Sequence, residues 1–285
     1  MRTVKILSSD IGVRSSFDLK ELNRAAEFLT GEIEGLGMKA IYEEYDVSGK
    51  TYRNIIVELP GSRYPEKMLV VGAHYDTAPG TPGADDNSSG VAGLLEICRR
   101  LKEREFVTTV KLVFFTLEEP PYFRTGDMGS YRYARRLHKE GAEVTGMISL
   151  EMIGYFSDSR HSQSFPSSLF KWFYPDTGNF IMLVSDRSSK RFLRRVKKAF
   201  IKGTDLPVES ISSYPIVTGV DFSDHWSFYQ FGYDAIMVTD TSFYRNPHYH
   251  RISDKPDTLD YGRMTKVIDG TVAAIEDIAM TPAIK

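Results

Sequence analysis

The sequence predicts an α/β protein: a three-layer αβα sandwich built around a mixed, mostly parallel central sheet. The first observation behind this prediction is that strand and helix patterns alternate along the whole chain, which is the order that gives layered α/β domains. The second is that residues 68–74 and 110–117 are nearly continuous apolar runs, as in strands covered on both faces. The chain has 285 residues, 41% of them hydrophobic, so it can bury a full core, and we expect residues 1–285 to form one domain.

The N-terminal part of the chain predicts one helix and two strands. Apolar residues recur at helical spacing through residues 18–36, and Gly37 is a typical C-terminal stop for that helix. Residues 40–47 and 53–59 have strand patterns, and a Pro-Gly pair ends the second. We expect these two strands to pair antiparallel at the rim of the sheet.

The middle of the chain alternates strands with helices. Asn87 or Ser88 can cap a helix that runs to Leu101, because either side chain can accept a free N–H group of the first helical turn. Since parallel neighbours in a sheet need a crossover connection, we expect such helices to join parallel strands. The further elements predicted here are a helix at residues 129–140 and a strand at residues 145–153.

The last third of the chain contains a long aromatic loop. Residues 155–179 carry many aromatic side chains among Ser, Pro, Asp and Gly, and we expect this segment to form a wall of a substrate pocket rather than to pack on the domain's edge. A helix predicted at residues 189–202 has a strongly basic face, which we interpret as an ordinary solvated face. The remaining elements are strands at residues 180–185 and 235–240 and a closing helix at residues 257–280.

The composition argues against several classes of partner. A net charge of -2 and a pI near 6.3 give no overall attraction to nucleic acids or anionic membranes, so we expect neither as a partner. No segment has the pattern of a membrane span or a signal peptide, which predicts a cytoplasmic protein, or a secreted one if a leader precedes this sequence. The single cysteine, Cys98, lies on the apolar face of a predicted helix, where we expect a buried structural role.

Acidic and histidine side chains stand where predicted strands run out into loops or helices. Because ligands bind at the carboxyl ends of strands in α/β sheets, we expect these side chains to meet at one edge of the sheet. Carboxylate oxygens and imidazole nitrogens are zinc ligands, and two neighbouring zinc ions need a carboxylate to bridge them. The candidate site residues are His74, Asp76, Asp85, Asp86, Glu118, Glu119, Glu151 and His250.

The residue pattern leaves individual roles open. In the pair of aspartates, one can be a ligand while its neighbour caps or braces the following helix. In the pair of glutamates, one can bind metal while the other acts as a base on water. Among the later histidines, spacing does not choose between His248 and His250, and His225 is a further candidate.

Six motifs in a fixed order give the sequence a resemblance to a known family. They are HYD at residues 74–76, GADDNSSG at 83–90, EE at 118–119, SLEMIGY at 149–155, SDHWSF at 223–228 and YHRISDKPDTL at 249–259. Together they resemble the co-catalytic zinc aminopeptidases of metallopeptidase family twenty-eight, whose relatives include glutamate carboxypeptidases and glutaminyl cyclases. Each motif is weak alone, but the ordered set is specific and extends from about Asn54 to the closing helix. The resemblance implies the zinc-exopeptidase fold, which is phosphorylase/hydrolase-like.

The resemblance also implies a role for each site residue. Glu118 is implied as the general base, and Asp76 as the acid behind His74. Two zinc ions are expected, with a single ion as the alternative. The implied metal ligands are His74 and Glu151 for one zinc, Glu119 and His250 for the other, and Asp86 as the bridge between them.

Two departures from the family pattern concern the site and its pocket. The acid of the strand motif is often Asp in the family, so Glu151 is expected to change the reach of that ligand. The stretch at residues 120–128 is longer than in the simplest family members and carries aromatic and arginine side chains. We expect this insertion to shape the substrate pocket.

The activity implied is that of a metallo-aminopeptidase, which hydrolyses the N-terminal residue from peptides or small aminoacyl substrates. A glutaminyl cyclase shares the fold and ligand order and is one alternative. A carboxypeptidase-type enzyme is another, with Arg124 or Arg251 holding the substrate carboxylate. A binding module without catalysis is the third, although this chain keeps all five implied ligands and the base. No feature of the sequence indicates an oligomeric state.

Overall fold

The computed structural model describes residues 1–281 and contains a mixed sheet of eight strands. The strands are β1 Ile41–Val47, β2 Lys50–Leu59, β3 Gly61–His74, β4 Phe106–Phe115, β5 Glu143–Glu151, β6 Ile181–Asp186, β7 Val208–Ser213 and β8 Ala235–Thr239. Their order across the sheet is β1-β2-β4-β3-β5-β8-β6-β7. The predicted α/β class with a mixed, mostly parallel sheet is confirmed.

Helices connect most of these strands. They are α1 Arg2–Lys5, which continues into a π-helical turn at Ile6–Ile11, α2 Leu19–Gly35, α3 Ser88–Leu101, α4 Gly129–Lys139, α5 Lys190–Gly203, α6 His225–Tyr229 and α7 Tyr261–Met280. Short 3₁₀ turns lie at Ser168–Trp172, Ser242–Tyr244 and Pro256–Thr258. Within residues 1–281, no helix combines the length and the apolarity that crossing a membrane would require.

The centre of the sheet is parallel. β3 lies between β4 and β5 and pairs with both in parallel, so that His74 at its end is level with Phe115 of β4. β5 pairs in parallel with β8, and Glu151 is level with Thr239. The carboxyl ends of these strands therefore open at the same edge of the sheet, where the sequence predicted the site. The antiparallel pairs β1–β2, β2–β4 and β6–β8 flank this centre.

Alternating side chains divide the sheet into two covered faces. On β3, Leu69 and Val71 belong to the main core together with buried residues of α2, α3, α5 and α7. Val70, between them, packs on the opposite side with Tyr133 of α4 and Phe228 of α6. A pleated strand imposes this period of two, and helices on both sides of the sheet produce the three layers.

Loops cover the part of the sheet formed by β6 and β8. Met182 and Val184 of β6 face the same side as Met237 of β8, and the three side chains cluster with Val220. Tyr174 of the aromatic loop packs against this cluster. Because loops fill space less regularly than a packed helix does, this cover leaves room for a cavity above the sheet.

The elements differ from the sequence predictions at a few positions, each for a physical reason. The pattern VESISS does not predict β7, because this edge strand has only partly buried residues and no apolar alternation. α6 is too short to show a helical period. The closing helix begins at Tyr261 rather than near Asp257, because residues 256–258 form a 3₁₀ turn and the Asp260 side chain caps α7 by accepting the N–H group of Arg263.

Candidate metal centre

Two groups of potential metal ligands share one carboxylate. His74, Asp86 and Glu151 form one group, and Asp86, Glu119 and His250 form the other. Within each group, one potential ligand atom from each residue lies within 4.8 Å of the others. The structure thus brings together the five side chains that the sequence analysis named as ligands, although they are far apart along the chain.

The shared residue presents one oxygen to each group. His74 Nε2 lies 3.5 Å from Asp86 Oδ1 and 3.2 Å from Glu151 Oε2. His250 Nε2 lies 3.1 Å from Asp86 Oδ2 and 3.3 Å from Glu119 Oε2. Each imidazole therefore faces two carboxylates, and Asp86 stands between the two groups as a bridging carboxylate would.

The composition and burial of the two groups fit a divalent metal ion. His74 is buried, and its Nε2 has no hydrogen-bond partner among residues 1–281. A buried polar atom without a partner is rare and costly, so its presence in an acidic cluster needs an explanation. A cation between the two groups would satisfy this nitrogen and offset the repulsion among the carboxylates. Imidazole nitrogen with carboxylate oxygen is a donor set that suits zinc.

Without metal, the charges within the centre shift the pKa values of its members in opposite directions. Burial raises the pKa of Glu119 to about 7, and the charge of Asp86 adds to the rise. Burial also acts to raise the pKa of Asp86, but the neighbouring imidazoles of His250 and His74 outweigh it and hold that pKa below its ordinary value. Burial acts to lower the pKa of His250, yet its contacts with Asp86 and Glu119 raise it to about 10. The imidazoles and the carboxylates of the centre thus stabilise one another's charged forms.

Three residues of the site segments adopt a left-handed backbone conformation. The φ angles are 60° at Leu117, 48° at Met152 and 54° at His250. Such a conformation costs a non-glycine residue about 1–3 kcal/mol and persists where the surrounding contacts enforce it. Leu117 directly precedes Glu118 and Met152 directly follows Glu151, so the backbone is strained next to the side chains of the site.

Asp76 contacts both halves of the centre. Its carboxylate accepts the backbone N–H group of Glu118 at 3.2 Å and that of Glu119 at 3.1 Å. His74 Nδ1 lies 3.2 Å from the carbonyl oxygen of Asp76 and 3.5 Å from the nearer carboxylate oxygen. The second distance is too long for a good hydrogen bond, so the backbone carbonyl is the better acceptor. Asp76 thus lies behind His74 and also holds the backbone of the two glutamates.

Glu118 stands beside the two ligand groups without belonging to either. Its Oε2 atom lies 3.9 Å from His74 Nε2. Burial raises the pKa of Glu118 well above its ordinary value; the charge of His74 opposes this rise, and that of Glu151 adds to it. A raised pKa makes a carboxylate a stronger base, which favours acceptance of a proton from water in general acid–base catalysis.

Further polar residues hold the loop that carries Asp86. Asp254 accepts the backbone N–H group of Asp85 at 2.9 Å and that of Asp86 at 3.1 Å. The Asp85 carboxylate accepts the N–H group of Gly154 at 3.0 Å and the side-chain amide of Asn246 at 2.7 Å. Within the aspartate pair, Asp85 therefore braces the loop and Asp86 faces the ligand groups.

Of the SDHWSF motif, the residue that touches the centre is Ser223. Its hydroxyl donates to Glu151 Oε2 at 2.7 Å. His225, which the residue pattern left open as a further candidate, is outside both groups, and its Nε2 lies 2.8 Å from the carbonyl oxygen of Val220. His248 also lies outside both groups. A serine beside an acid is too common in sequences to identify Ser223 without the fold.

A cavity of about 280 Å³ opens beside the two groups. Glu118 lines it, and so does every potential ligand except His74. Its floor is the face of β6 and β8 that carries Met182, Val184 and Met237. Apart from the residues of the centre, every lining side chain in the described part of the chain is uncharged.

The aromatic loop and the insertion at residues 120–128 form the walls of this cavity. Phe165, Phe170 and Tyr174 line it from the loop, as expected from the sequence, and Pro120 and Phe123 line it from the insertion. The structure therefore gives both segments the pocket-forming position that the sequence analysis predicted for them.

Comparisons with known proteins agree with this geometry. The model of Peptidase family M28 matches residues 54–275. YfbL of Escherichia coli (strain K12), which is described as uncharacterized, is 39% identical over 282 residues, covering 96% of this chain and 86% of that protein. Leucine aminopeptidase 1 of Emericella nidulans is 27% identical over 239 residues, which are 79% of this chain but only 55% of the length of that protein.

Two solved structures share the fold. BSAP, a zinc aminopeptidase from Bacillus subtilis, superposes with a TM-score of 0.78 at 14% identity, covering 100% of this chain and 95% of that one. A glutaminyl cyclase from Bacteroides thetaiotaomicron, bound to N-acetylhistamine, gives a TM-score of 0.71 at 22% identity, covering 96% and 95%. At these identities the likeness shows the fold alone. The family model, however, spans most of the chain and confirms the resemblance seen in the motifs: this chain belongs to peptidase family M28.

Proposed function

We propose that this protein is a zinc-dependent aminopeptidase that hydrolyses the N-terminal residue from peptides. The observation that carries the proposal is the shared carboxylate: Asp86 lies between two ligand groups, and Glu118 stands beside them at an apolar cavity. The residues that would hold zinc are His74 and Glu151 for one ion, Glu119 and His250 for the other, and Asp86 for both.

The chain's own residues supply the proton transfers of this reaction. Zinc, when bound, provides Lewis acidity that polarises a peptide carbonyl and lowers the pKa of a water molecule. Glu118 accepts the proton of that water on its carboxylate and returns it to the departing amine. Asp76 fixes the position of Glu118 by accepting its backbone N–H group. Burial of the centre keeps bulk water away and strengthens these electrostatic interactions.

The cavity would receive the side chain of the N-terminal residue. Its lining is mostly apolar, so a large apolar side chain gains free energy by leaving water there. The acidic centre at one side of the cavity attracts the positively charged free amine of the peptide. The two parts of the site would thus recognise two groups of the N-terminal residue: the cavity its side chain, and the acidic centre its free amine.

Replacing Glu118 with Gln tests the proposal. The variant should keep its zinc, because Glu118 is outside both ligand groups, and should lose about 10²–10⁴-fold in kcat, because the general base is gone. Zinc content by atomic emission and hydrolysis of leucine p-nitroanilide, with chelator and zinc add-back, measure the two effects. Glu105→Gln, at an exposed glutamate, is the matched control. Near-normal turnover in Glu118→Gln would contradict the proposed role.

Glutaminyl cyclisation is the second candidate, and the likeness to the glutaminyl cyclase of Bacteroides thetaiotaomicron supports it. In that reaction the substrate's own amine, rather than water, attacks the side-chain amide of an N-terminal glutamine. Mass spectrometry of a glutamine-initiated peptide separates the two, since cyclisation releases ammonia and keeps the chain length, whereas an aminopeptidase shortens the peptide. The mostly apolar lining, with Met182, Val184 and Met237 on the floor, suits a large apolar side chain better than a glutamine and so favours the aminopeptidase.

A carboxypeptidase-type reaction is less well supported. Such an enzyme needs a cation in its pocket to hold the substrate carboxylate. Arg124 forms an ion pair with Asp221, and its guanidinium lies 5.7 Å from the ring centroids of both Phe222 and Trp226. Neither Arg124 nor Arg251 lines the cavity in the described structure.

A further inference from the structure

Arg14 is fully buried, although it lies in an N-terminal segment outside the region that the family model matches. This segment, residues 1–18, precedes α2 and contains α1 and the π-helical turn. Removing a charge from water is costly unless the protein replaces the lost hydrogen bonds. The contacts of Arg14 must therefore account for its position.

The guanidinium of Arg14 binds a single loop of the metal centre. We call residues 75–88 the ligand loop, because it follows His74 and carries Asp76 and Asp86. Arg14 donates to the start of this loop and also to its end, so that one side chain ties the two together. Its bonds to the loop run from Nε to Tyr75 O (2.7 Å), from Nη1 to Pro82 O (2.8 Å), and from Nη2 to Gly83 O (3.1 Å) and Ser88 Oγ (2.7 Å).

The rest of the N-terminal segment completes the attachment. The backbone N–H group of Arg14 donates to Thr77 Oγ1 at 3.1 Å. Nη1 also donates to the carbonyl oxygens of Leu7 and Gly12, at 3.2 and 3.1 Å, so the guanidinium joins its own segment to the ligand loop. A lysine ammonium could not make this planar set of bonds.

The ligand loop is folded so tightly that its shape depends on such support. Gly83 has a φ of +62°, and a Cβ atom there would lie 2.2 Å from the carbonyl oxygen of Asp86 and 2.5 Å from the Thr77 side chain. The carbonyl oxygen of this same glycine is one of the groups that Arg14 binds. The positive charge of Arg14 also acts on the carboxylates of Asp76 and Asp86.

We propose that Arg14 is a positioning residue of the metal centre, through which the N-terminal segment holds the ligand loop in place before a metal ion binds. This inference rests on the metal-dependent function proposed above. The bonds from Arg14 leave the carboxylates of Asp76 and Asp86 free to face the centre, since they use only backbone carbonyls and the hydroxyls of Thr77 and Ser88. Ordering a binding loop in advance removes that free-energy cost from the binding step. Loss of Arg14 should therefore weaken metal binding itself.

The test measures zinc affinity of the full-length chain by competition with a chromophoric chelator, together with thermal unfolding of the metal-free protein. Arg14→Gln should lower zinc affinity about 10- to 100-fold, as loss of residues that orient metal ligands typically does. Arg14→Lys should fall between Arg14→Gln and the original protein, because it keeps the charge but loses most of the bonds. Ile33→Ala, at a buried core position of α2, is the control for a general loss of stability.

The outcomes separate the inference from the function on which it rests. If the original chain fails to bind zinc, the proposed function is wrong. If the original chain binds zinc and Arg14→Gln binds it equally well, the positioning role is wrong. It is also wrong if Ile33→Ala weakens zinc binding as much as Arg14→Gln does. If Arg14→Gln does not fold, Arg14→Lys decides: a clear loss of zinc affinity supports the role, and an unchanged affinity overturns it.

Discussion

Replacing leucine by alanine at the N-terminus of a substrate should lower kcat/KM markedly, and the cavity sets the size of the effect. A leucine side chain has three more carbon atoms than alanine, and burying each contributes about 0.8 kcal/mol, or about 2.4 kcal/mol in all. That difference corresponds to about 60-fold in kcat/KM, at tenfold for each ~1.36 kcal/mol. Lysine should be poorer than leucine, because none of the described residues that line the cavity beyond the centre has a charged side chain to pair with an ammonium group.

The assay compares leucyl, alanyl and lysyl p-nitroanilides on the original chain and on two variants of β6. Val184→Phe places a larger side chain on the cavity floor, so the preference for leucine over alanine should fall toward unity while alanine is still hydrolysed. Leu183→Met is the control, since Leu183 is the next residue of the strand and faces the main core on the opposite side.

Two results would refute this reasoning. The first is an original chain that hydrolyses the alanyl or lysyl substrate better than the leucyl one. The second is a leucine-to-alanine ratio in Val184→Phe that equals the ratio in Leu183→Met. Either result would mean that the N-terminal side chain does not enter this cavity.

Three further predictions concern the centre and the core. Asp86→Ala should remove both metal ions, because its two oxygens face both groups; zinc content equal to that of the original chain would contradict a shared carboxylate. Burial raises the pKa of the Cys98 thiol, so a disulfide reagent should leave it unmodified in the folded protein and react after denaturation; rapid reaction in the native state would argue against the buried role. Gly270→Ala should lower the free energy of unfolding by about 1–3 kcal/mol in urea titrations, because a Cβ atom there would lie 2.3 Å from the Phe200 ring. Gly262→Ala in the same helix is the control: the atom nearest to its Cβ would be 3.3 Å away, so it should have little effect.

The fold was predictable wherever burial leaves a pattern in the sequence. β3 and β4 are covered on both faces, so their apolar runs identified them as central strands. β7 is an edge strand with partly buried residues, and nothing in its composition distinguishes it from a loop. The start of α7 shifted because a capping side chain decides a helix boundary, and capping is a contact that periodicity does not express.

The candidate site was predictable only in part. The ligand set followed from ordered motifs, and the structure brings those five side chains together. Ser223 and Arg14 were not predicted, because each acts through contacts with residues distant in sequence. Arg14 in particular binds mostly backbone carbonyl groups, which every residue possesses, so no pattern of side chains could have indicated its partners.

The turn from His250 to Asp254 links two parts of the centre mechanically. Its His250 imidazole belongs to one ligand group, and its Asp254 carboxylate accepts the backbone N–H groups of Asp85 and Asp86. A displacement of this turn would withdraw His250 and release the bridging aspartate in the same movement. The length of the turn is thus a constraint on the whole centre: inserting one residue between positions 250 and 254 should cost the protein both metal ions together, never one alone.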